Sequence, residues 1–295
     1  MDETIAIKEP TRTRIITALL AVYIFWSSTY LAIRITLESF PPFFIAGIRF
    51  LLVGIGLYCY LRIRGSRIPD RSEWAAGTLV GGLLLLGGNG GVVFAEQWVA
   101  SGLTALALAT TPLWTVLFAG IWKRWPTRLE WAGLALGFIG VALLNLEGNL
   151  RASPAGAVAL IIASLCWALG SAWSRHLPLP SGLMAGAVEM ISGGALLLIA
   201  SFFTGETIET VPTLRSLGAL VYLGIFGSLV GFSAYTYLLT RVRPALATSN
   251  AYVNPVIAVA LGVWLAGERI GGIGMIAMLI ILTGVVLVAL AQRRS

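Results

Sequence analysis

Two charged residues, Arg49 and Glu189, interrupt long apolar stretches of the chain. A charged side chain inside hydrocarbon costs about 2.5 to 3.5 kcal/mol on insertion scales, so each of them needs a compensating role. Arg49 offers a planar fork of donors that suits a carboxylate or phosphate, or it locks helix-end carbonyls and a partner carboxylate. Glu189 is a candidate proton carrier or ammonium receptor, or it forms a buried hydrogen bond in helix packing. The sequence leaves these alternatives open, as it does the question whether the two residues interact.

Two prolines lie near the middle of apolar stretches in the two halves of the chain. Pro112 and Pro255 are each roughly the tenth residue of a stretch of about twenty, which is the length that crosses a bilayer. Proline removes a backbone donor and clashes with the preceding turn, so it bends a helix and frees a carbonyl. Both residues are predicted hinges, and paired helix breaks point to the substrate site of a carrier.

Polar and aromatic side chains accompany these prolines and occupy the middle of other apolar stretches. Two roles are open for these side chains. They hydrogen-bond to backbone groups that the prolines leave without a partner and pack the core, or they line a cavity that accepts apolar, aromatic or cationic groups. The candidate substrate-binding residues are Trp26, Tyr30, Asn89, Thr111, Trp114, Trp167, Tyr235, Tyr252 and Asn254.

Signals of catalysis are weak in this sequence. The single histidine, His176, is expected at the end of an apolar stretch, and no Walker loop, HExxH motif or acidic pair accompanies it. Cys59 and Cys166 lie in different apolar stretches without metal-ligand spacing, which favours packing roles. We therefore predict no enzyme activity, no metal and no organic cofactor. A polytopic membrane enzyme and a channel remain alternatives of other classes.

The composition indicates an integral membrane protein. Mean hydropathy is +0.89 and only 11% of residues are charged, against roughly a quarter in soluble proteins. Charge-poor stretches of helix-spanning length predict an all-α integral membrane protein with ten transmembrane helices. The predicted spans are Ile15–Ile33, Phe43–Leu61, Ala75–Val99, Leu103–Trp122, Trp131–Leu146, Ala157–Trp173, Leu183–Phe203, Leu217–Leu239, Ala245–Ala266 and Gly271–Leu290.

One sequence pattern occurs twice. Residues 26–34 (WSSTYLAIR) and 167–175 (WALGSAWSR) both begin with Trp and end with Arg, 141 residues apart. Each copy holds five predicted spans, and an odd number makes the second copy enter the membrane from the opposite side. The pattern therefore predicts two inverted repeats. The predicted organisation is an N-terminal tail over 1–14, a first repeat over 15–146, a linker over 147–156, a second repeat over 157–290 and a C-terminal tail over 291–295.

Basic residues gather at one side of the predicted spans. Most of the 20 Lys and Arg residues lie before span 1, after the even-numbered spans and at the C-terminus. The positive-inside rule therefore places both termini in the cytoplasm. Because the basic residues follow this membrane pattern, the net charge of +7 reflects orientation in a lipid bilayer rather than binding to nucleic acid. Glu96, at the other end of span 3, is expected to be a solvated residue at the mouth of the protein.

Several segments resemble a known family. WSSTY in span 1, the Pro41 to Arg49 spacing, FAEQWVASGLTALALATTPLWTVLFA and LAGERI are similar to the drug/metabolite transporter superfamily, and within it to bacterial exporters with two EamA repeats. The resemblance implies two inverted five-helix repeats and export of small metabolites, amino acids among them. One departure is that Arg49 of the first repeat lies over Glu189 of the second.

The combined prediction is a secondary transporter of the bacterial inner membrane. It exports small amphiphilic metabolites, aromatic or hydrophobic amino acids being favoured, by alternating access at a mid-membrane cavity, with protons as candidate coupling ions. The alternative is a multidrug or organic-cation efflux carrier of the same fold. Gly133 and Gly137 form a GxxxG motif, continued by Gly140, which favours close packing inside the chain or between two chains. Monomer and homodimer both remain open.

Overall fold

The computed structural model describes residues 12–120, 125–144, 153–209, 211–242 and 250–294. Within these ranges all regular structure is helical and no strand occurs, which confirms the predicted all-α fold. We number the helices in chain order. They are α1 (Arg12–Thr36), α2 (Pro42–Ile63), α3 (Arg71–Ala95), α4 (Ser101–Leu108), α5 (Thr111–Ala119), α6 (Arg128–Leu144), α7 (Pro154–Trp173), α8 (Leu183–Phe203), α9 (214–241), α10 (Asn250–Ala266) and α11 (Gly272–Arg294).

Among the described residues, six helices are long and apolar enough to cross a membrane, namely α1, α2, α3, α7, α8 and α9. Helices α10 and α11 contain shorter apolar stretches, and α4 with α5 occupies predicted span 4. The predicted span Leu183–Phe203 has the same bounds as α8. Some predicted boundaries lie outside the described ranges. They are the end of span 4 (121–124), the end of span 5 with most of the linker (145–152) and the start of span 9 (243–249).

Helices of the first half, α1–α6, pack on those of the second half, α7–α11, in a reciprocal pattern. The pairs α2 with α8, α6 with α11 and α4 with α10 join equivalent helices of the two halves. The contact of α1 with α9 is matched by that of α7 with α3, and the contact of α1 with α10 by that of α7 with α4 and α5. These contacts between the halves are therefore preserved when the two halves are exchanged.

Glycines set the closest approaches between the halves. A Cβ atom on Gly54 of α2 would lie 2.8 Å from the backbone N of Ile191, and one on Gly194 of α8 would lie 2.5 Å from that of Leu51. In the other self-paired contact, a Cβ on Gly133 would lie 2.6 Å from the carbonyl oxygen of Gly284, and the reverse distance is also 2.6 Å. Small residues allow such backbone contacts in membrane helices. The GxxxG motif of α6 thus packs against α11 inside the chain.

Three helices contain π-helical segments, at Val22–Trp26 of α1, Gly82–Gly90 of α3 and Leu223–Phe232 of α9. The segments of α3 and α9 begin 141 residues apart, the same spacing as the duplicated Trp pattern. Spans 3 and 8 are the least similar pair of the repeat in sequence, because GGNGG at 87–91 has no close counterpart. Their backbones nevertheless share a feature that often marks functional sites.

The two prolines have different surroundings. Helix α4 ends at Leu108 and α5 begins at Thr111, so the helix of span 4 is interrupted just before Pro112. The side chain of Thr111 donates to the carbonyl of Leu108 at 2.7 Å and satisfies the loosened backbone there. Helix α10, by contrast, continues through Pro255. The sequence predicted matching breaks, and the described helices show one; the hinge roles of both prolines remain predictions.

Candidate functional site

Three of the predicted aromatic residues meet where the two halves join. The ring of Trp26 lies 5.8 Å from that of Trp167, edge to face, and 4.8 Å from that of Tyr235. Tyr235 is buried, and both tryptophans are half-buried. Such aromatic contacts favour apolar or cationic partners over phosphorylated ones. Side chains from α1, α7 and α9 therefore form one aromatic cluster, which we define as Trp26, Trp167 and Tyr235.

Each tryptophan of the aromatic cluster rests on a glycine of a π-helical segment in the other half. A Cβ on Gly231 of α9 would lie 2.5 Å from Nε1 of Trp26, and one on Gly88 of α3 would lie 2.8 Å from Cε3 of Trp167. Nε1 of Trp26 donates to the carbonyl oxygen of Gly227 at 3.1 Å, also in the α9 segment. Each of the two repeated tryptophans thus packs against a glycine of the opposite half, and any larger residue at that glycine position would clash with the ring.

Polar groups of α1 reach across to the second half beside this cluster. The hydroxyl of Ser27 donates to Oδ1 of Asn254 on α10 at 3.1 Å, and both side chains are buried. The hydroxyls of Ser28 and Tyr222 lie 2.6 Å apart and share a hydrogen bond. Asn254 is therefore a neighbour of the aromatic cluster through α1, and its partner Ser27 could not be identified from the sequence.

Arg49 and Asn89, which the sequence treated separately, are hydrogen-bonded. Nη2 of Arg49 donates to Oδ1 of Asn89 at 2.9 Å, and the guanidinium lies 4.3 Å from the centre of the Phe50 ring. The buried Nε of Arg49 has no hydrogen-bond partner. No ion pair joins Arg49 to Glu189 among the described residues. A spare donor therefore remains on a guanidinium held at the π-helical segment of α3.

Glu189 lies on the face of α8 that packs against α3. Its side chain is only 5% exposed, and a Cβ on Gly81 would lie 2.5 Å from its backbone oxygen. The carboxyl lies within electrostatic range of the phenol of Tyr235. A buried carboxyl within electrostatic range of one member of the aromatic cluster is compatible with both functional alternatives predicted for Glu189, an ammonium receptor and a proton carrier.

The prediction that Glu96 is a solvated mouth residue is wrong. Its exposure is 1%, and neither carboxylate oxygen has a hydrogen-bond partner. Ala95, Val99 and Ala100 on either side of it are buried as well. These small and apolar neighbours in FAEQWVA were the available signal, but burial at a helix end depends on which helices cover it. Glu96 is thus a functional candidate that the sequence reasoning missed.

A charged network closes the bundle end at which α1 and α3 terminate, which we call the Arg34 end. Oε1 and Oε2 of Glu268 accept hydrogen bonds from the backbone N–H groups of Ser101 and Gly102 at 2.9 and 3.2 Å. Nε of Arg34 lies 3.8 Å from Glu268, and its Nη1 donates to the carbonyl of Val99 at 3.1 Å. A carboxylate at a helix N-terminus satisfies orphan donors and complements the helix dipole. Glu268, from the second half, thereby caps α4 of the first half.

A second glutamate makes the same kind of contact at this end. Oε1 and Oε2 of Glu206, which follows α8, accept from the backbone N–H groups of Phe43 and Phe44 at 3.0 and 2.8 Å. Glu206 therefore caps α2. Both caps are supplied by the second half and received by the first.

Other predicted site residues lie apart from the aromatic cluster. The ring of Trp114 lies 4.9 Å from that of Phe138 on α6, so it faces a neighbouring helix of its own half. Thr111 hydrogen-bonds to its own chain turn. Tyr30 is half-buried and lies within electrostatic range of Glu96. The side chain of Tyr252 falls outside the described residues.

An apolar all-helical chain, packed from two reciprocal halves around buried aromatic, amide and charged side chains, has the architecture of a membrane transporter. The model of the EamA-like transporter family matches residues 13–146 and 154–290. The chain belongs to the EamA-like transporter family, which confirms the resemblance found in the sequence.

Named relatives extend over nearly the whole chain. An uncharacterised inner membrane transporter of Escherichia coli strain K12, YedA, is 46% identical over 276 residues, covering 93% of this chain and 90% of its own. A probable amino-acid metabolite efflux pump of the same strain is 23% identical, covering 90% and 91%. The crystal structure of another protein matches this chain with a TM-score of 0.67 at 22% identity, over 96% of this chain and 98% of its own, and so shares the fold.

Proposed function

We propose that the protein is a secondary exporter of the bacterial inner membrane that moves small amphiphilic molecules out of the cytoplasm. Aromatic and hydrophobic amino acids are the favoured substrates. The observation that carries this proposal is the reciprocal seating of Trp26 and Trp167 on glycines of the opposite half, beside Tyr235. It gives an apolar, aromatic recognition surface at the junction that must rearrange when two halves rock. The named relatives, an inner membrane transporter and an amino-acid metabolite efflux pump, support location and substrate class.

The proposed topology has ten membrane-spanning helices in two inverted repeats, with α4 and α5 counted as one interrupted span. Both termini are cytoplasmic. Loop arginines support this orientation, because Arg62, Arg67, Arg175 and Arg241 lie at helix ends opposite the Arg34 end. The Arg34 end then faces the periplasm.

The proposed mechanism is alternating access, and helix packing indicates which end is closed. Helix α4 packs on α10 at the Arg34 end, where Glu268 caps it. Among the described residues, its continuation α5 packs mainly on α7. The contact of α4 with α10 and the Glu268 cap support a state that is closed at the periplasmic end.

A second candidate function is efflux of organic cations, and the position of Glu189 favours it. An acidic group near an aromatic cluster recognises cations without any need for a carboxylate receptor. An amino acid, in contrast, brings a carboxylate that the free donor of Arg49 would bind. Arg49 therefore separates the two candidates: Arg49→Gln should abolish amino-acid transport and spare that of organic cations.

Counterflow in proteoliposomes tests the proposal. Liposomes preloaded with unlabelled phenylalanine, leucine or tetraphenylphosphonium are diluted into the radiolabelled compound, with and without an imposed pH gradient. A carrier concentrates label transiently and saturates, whereas a channel shows no trans-stimulation. We expect Trp26→Ala and Trp167→Ala to weaken counterflow, and the control Trp264→Ala, whose side chain is 89% exposed on α10, to leave it unchanged. Absence of counterflow with every compound would contradict the carrier assignment.

A further inference from the structure

Glu96 is a buried carboxyl without hydrogen bonds in a neighbourhood rich in charge. Both of its oxygens lack a partner although the side chain is 1% exposed. Charged and titratable groups of three elements lie within electrostatic range of it: Tyr30 and Arg34 of α1, Arg49 of α2, and Glu268 of the loop between α10 and α11. An unpaired buried carboxylate is costly, and a second carboxylate nearby raises that cost. The protonated form of Glu96 therefore fits this arrangement.

Both neighbouring arginines are already engaged. Arg34 donates to the carbonyls of Val99 at 3.1 Å and of Glu96 itself at 3.4 Å, and its Nε lies 3.8 Å from Glu268. Arg49 donates to Asn89. Neither guanidinium forms an ion pair with the Glu96 carboxyl among the described residues. An ionised Glu96 would compete with Glu268 for Arg34 and repel Glu268 at the same time.

Glu268 is the link between this site and the closed end. Its two oxygens hold the first N–H groups of α4, and its ion pair with Arg34 keeps it in place. Moving Glu268 away would leave both N–H groups unsatisfied and loosen α4 from α10. The charge of Glu96 thus acts on the contact that closes the Arg34 end.

We propose that Glu96 is a proton-binding site that controls closure of the Arg34 end. With its proton bound, Glu96 leaves Glu268 on the N-terminus of α4 and the end stays closed. When the proton passes to water at that end, Glu96 takes Arg34 from Glu268, the cap on α4 is released, and the end opens. This inference rests on the proposed alternating access and adds a proton-dependent step to it.

Cysteine accessibility tests the proposal without requiring a known substrate. Ser101 is fully buried, and its side chain makes no hydrogen bond, so Ser101→Cys places a near-isosteric thiol beneath the Glu268 cap. The native thiols are removed by Cys59→Ser and Cys166→Ala. A membrane-impermeant maleimide is added to spheroplasts and to inside-out vesicles between about pH 5.5 and pH 8. Labelling at exposed Gln97→Cys corrects for the pH dependence of the thiol reaction itself.

We expect corrected labelling of the Ser101→Cys protein to rise with pH by about fivefold or more, the lower limit of ordinary coupling between two sites. Glu96→Gln should keep labelling slow at every pH, Glu268→Gln should make it fast at every pH, and Glu96→Asp should retain the pH dependence. An unchanged pH dependence in Glu268→Gln or in folded Glu96→Gln overturns the proposal. If Glu96→Gln does not insert, Glu268→Gln decides alone. A pH-dependent rise in labelling without counterflow of any compound would refute the exporter function and not the proton site.

Discussion

Adding one methyl group at Gly231 should unseat Trp26 from its position in the aromatic cluster. The Cβ of Gly231→Ala would lie 2.5 Å from Nε1 and 2.7 Å from Cδ1 of the Trp26 ring, well inside van der Waals contact. The ring must move, because the glycine belongs to the helix backbone. Movement breaks the 3.1 Å hydrogen bond to the carbonyl of Gly227, which contributes about 0.5 to 1.5 kcal/mol. Overpacking adds about 1 to 3 kcal/mol.

The expected sum is therefore about 1.5 to 4.5 kcal/mol, divided between stability and substrate binding. Each 1.4 kcal/mol that falls on binding weakens the affinity about tenfold. Gly224→Ala is the matched control, since it lies in the same π-helical segment and its Cβ would meet nothing closer than 3.8 Å. Gly88→Ala is the repeat partner, with its Cβ 2.8 Å from the Trp167 ring, and should behave like Gly231→Ala.

The assay combines two measurements on each variant: the thermal unfolding midpoint in detergent, and the concentration dependence of counterflow in proteoliposomes. We expect Gly231→Ala and Gly88→Ala to lower the midpoint and raise the half-saturating concentration, and Gly224→Ala to change neither. If Gly231→Ala matches Gly224→Ala in both measurements, the reciprocal seating of the tryptophans does not support transport and the reasoning fails.

Three further perturbations test other parts of the structure. Glu206→Ala removes the cap on α2 and should lower the free energy of unfolding by about 0.5 to 2 kcal/mol. Its Tm should be lower than that of the control Glu209→Ala, which changes an exposed residue. Equal Tm values would show that the cap does not stabilise the protein. The pKa of Asp70 is held below its ordinary value of 3.8, first by a hydrogen bond from Ser72 and then by a backbone amide at the start of α3. A carboxyl whose pKa is lower in the folded state stabilises the protein above its unfolded-state pKa, and this stability is lost as the pH falls through its folded-state pKa. The Tm of the native protein should therefore exceed that of Asp70→Asn at neutral pH, and the difference should shrink below about pH 4. A Tm difference that stays constant with pH would contradict a role for the ionised Asp70 cap. Glu189→Gln should abolish dependence of transport on a pH gradient while leaving counterflow, and loss of both would indicate a binding or structural role.

Properties that follow from a single helix were predictable from the sequence. Hydropathy alone located α8 to the residue, because membrane crossing imposes a length and makes charged residues rare within it. The missing backbone donor of proline predicted the interruption before Pro112, but the same reasoning failed at Pro255, through which α10 continues. The duplicated Trp pattern indicated the two halves, since matching residues at constant spacing reflect matching helices.

Properties that need two or more helices were not predictable in this way. Asn89 accepts from Arg49, and Asn254 from Ser27, because α1, α2, α3 and α10 meet in a particular register. Glu96 is buried for the same reason, although it follows the last residue of a helix. The π-helical segments could not be recognised from the hydrophobic pattern. A π-helical turn shifts that pattern by about one residue, which is less than the uncertainty of a predicted span boundary.

In the proposed alternating-access mechanism, differences between the two halves decide which state the transporter favours. If the two halves were identical, exchanging their conformations would convert the closed-outside state into the closed-inside state, and both would have equal free energy. The glycine contacts of the two tryptophans occur in both halves and therefore favour neither state. Glu206 and Glu268 of the second half both cap helices of the first half at the Arg34 end, and no matching cap joins the described residues at the opposite end. In the proposed mechanism such differential contacts shift the population towards closure there, and the proposed proton on Glu96 keeps the Glu268 cap in place.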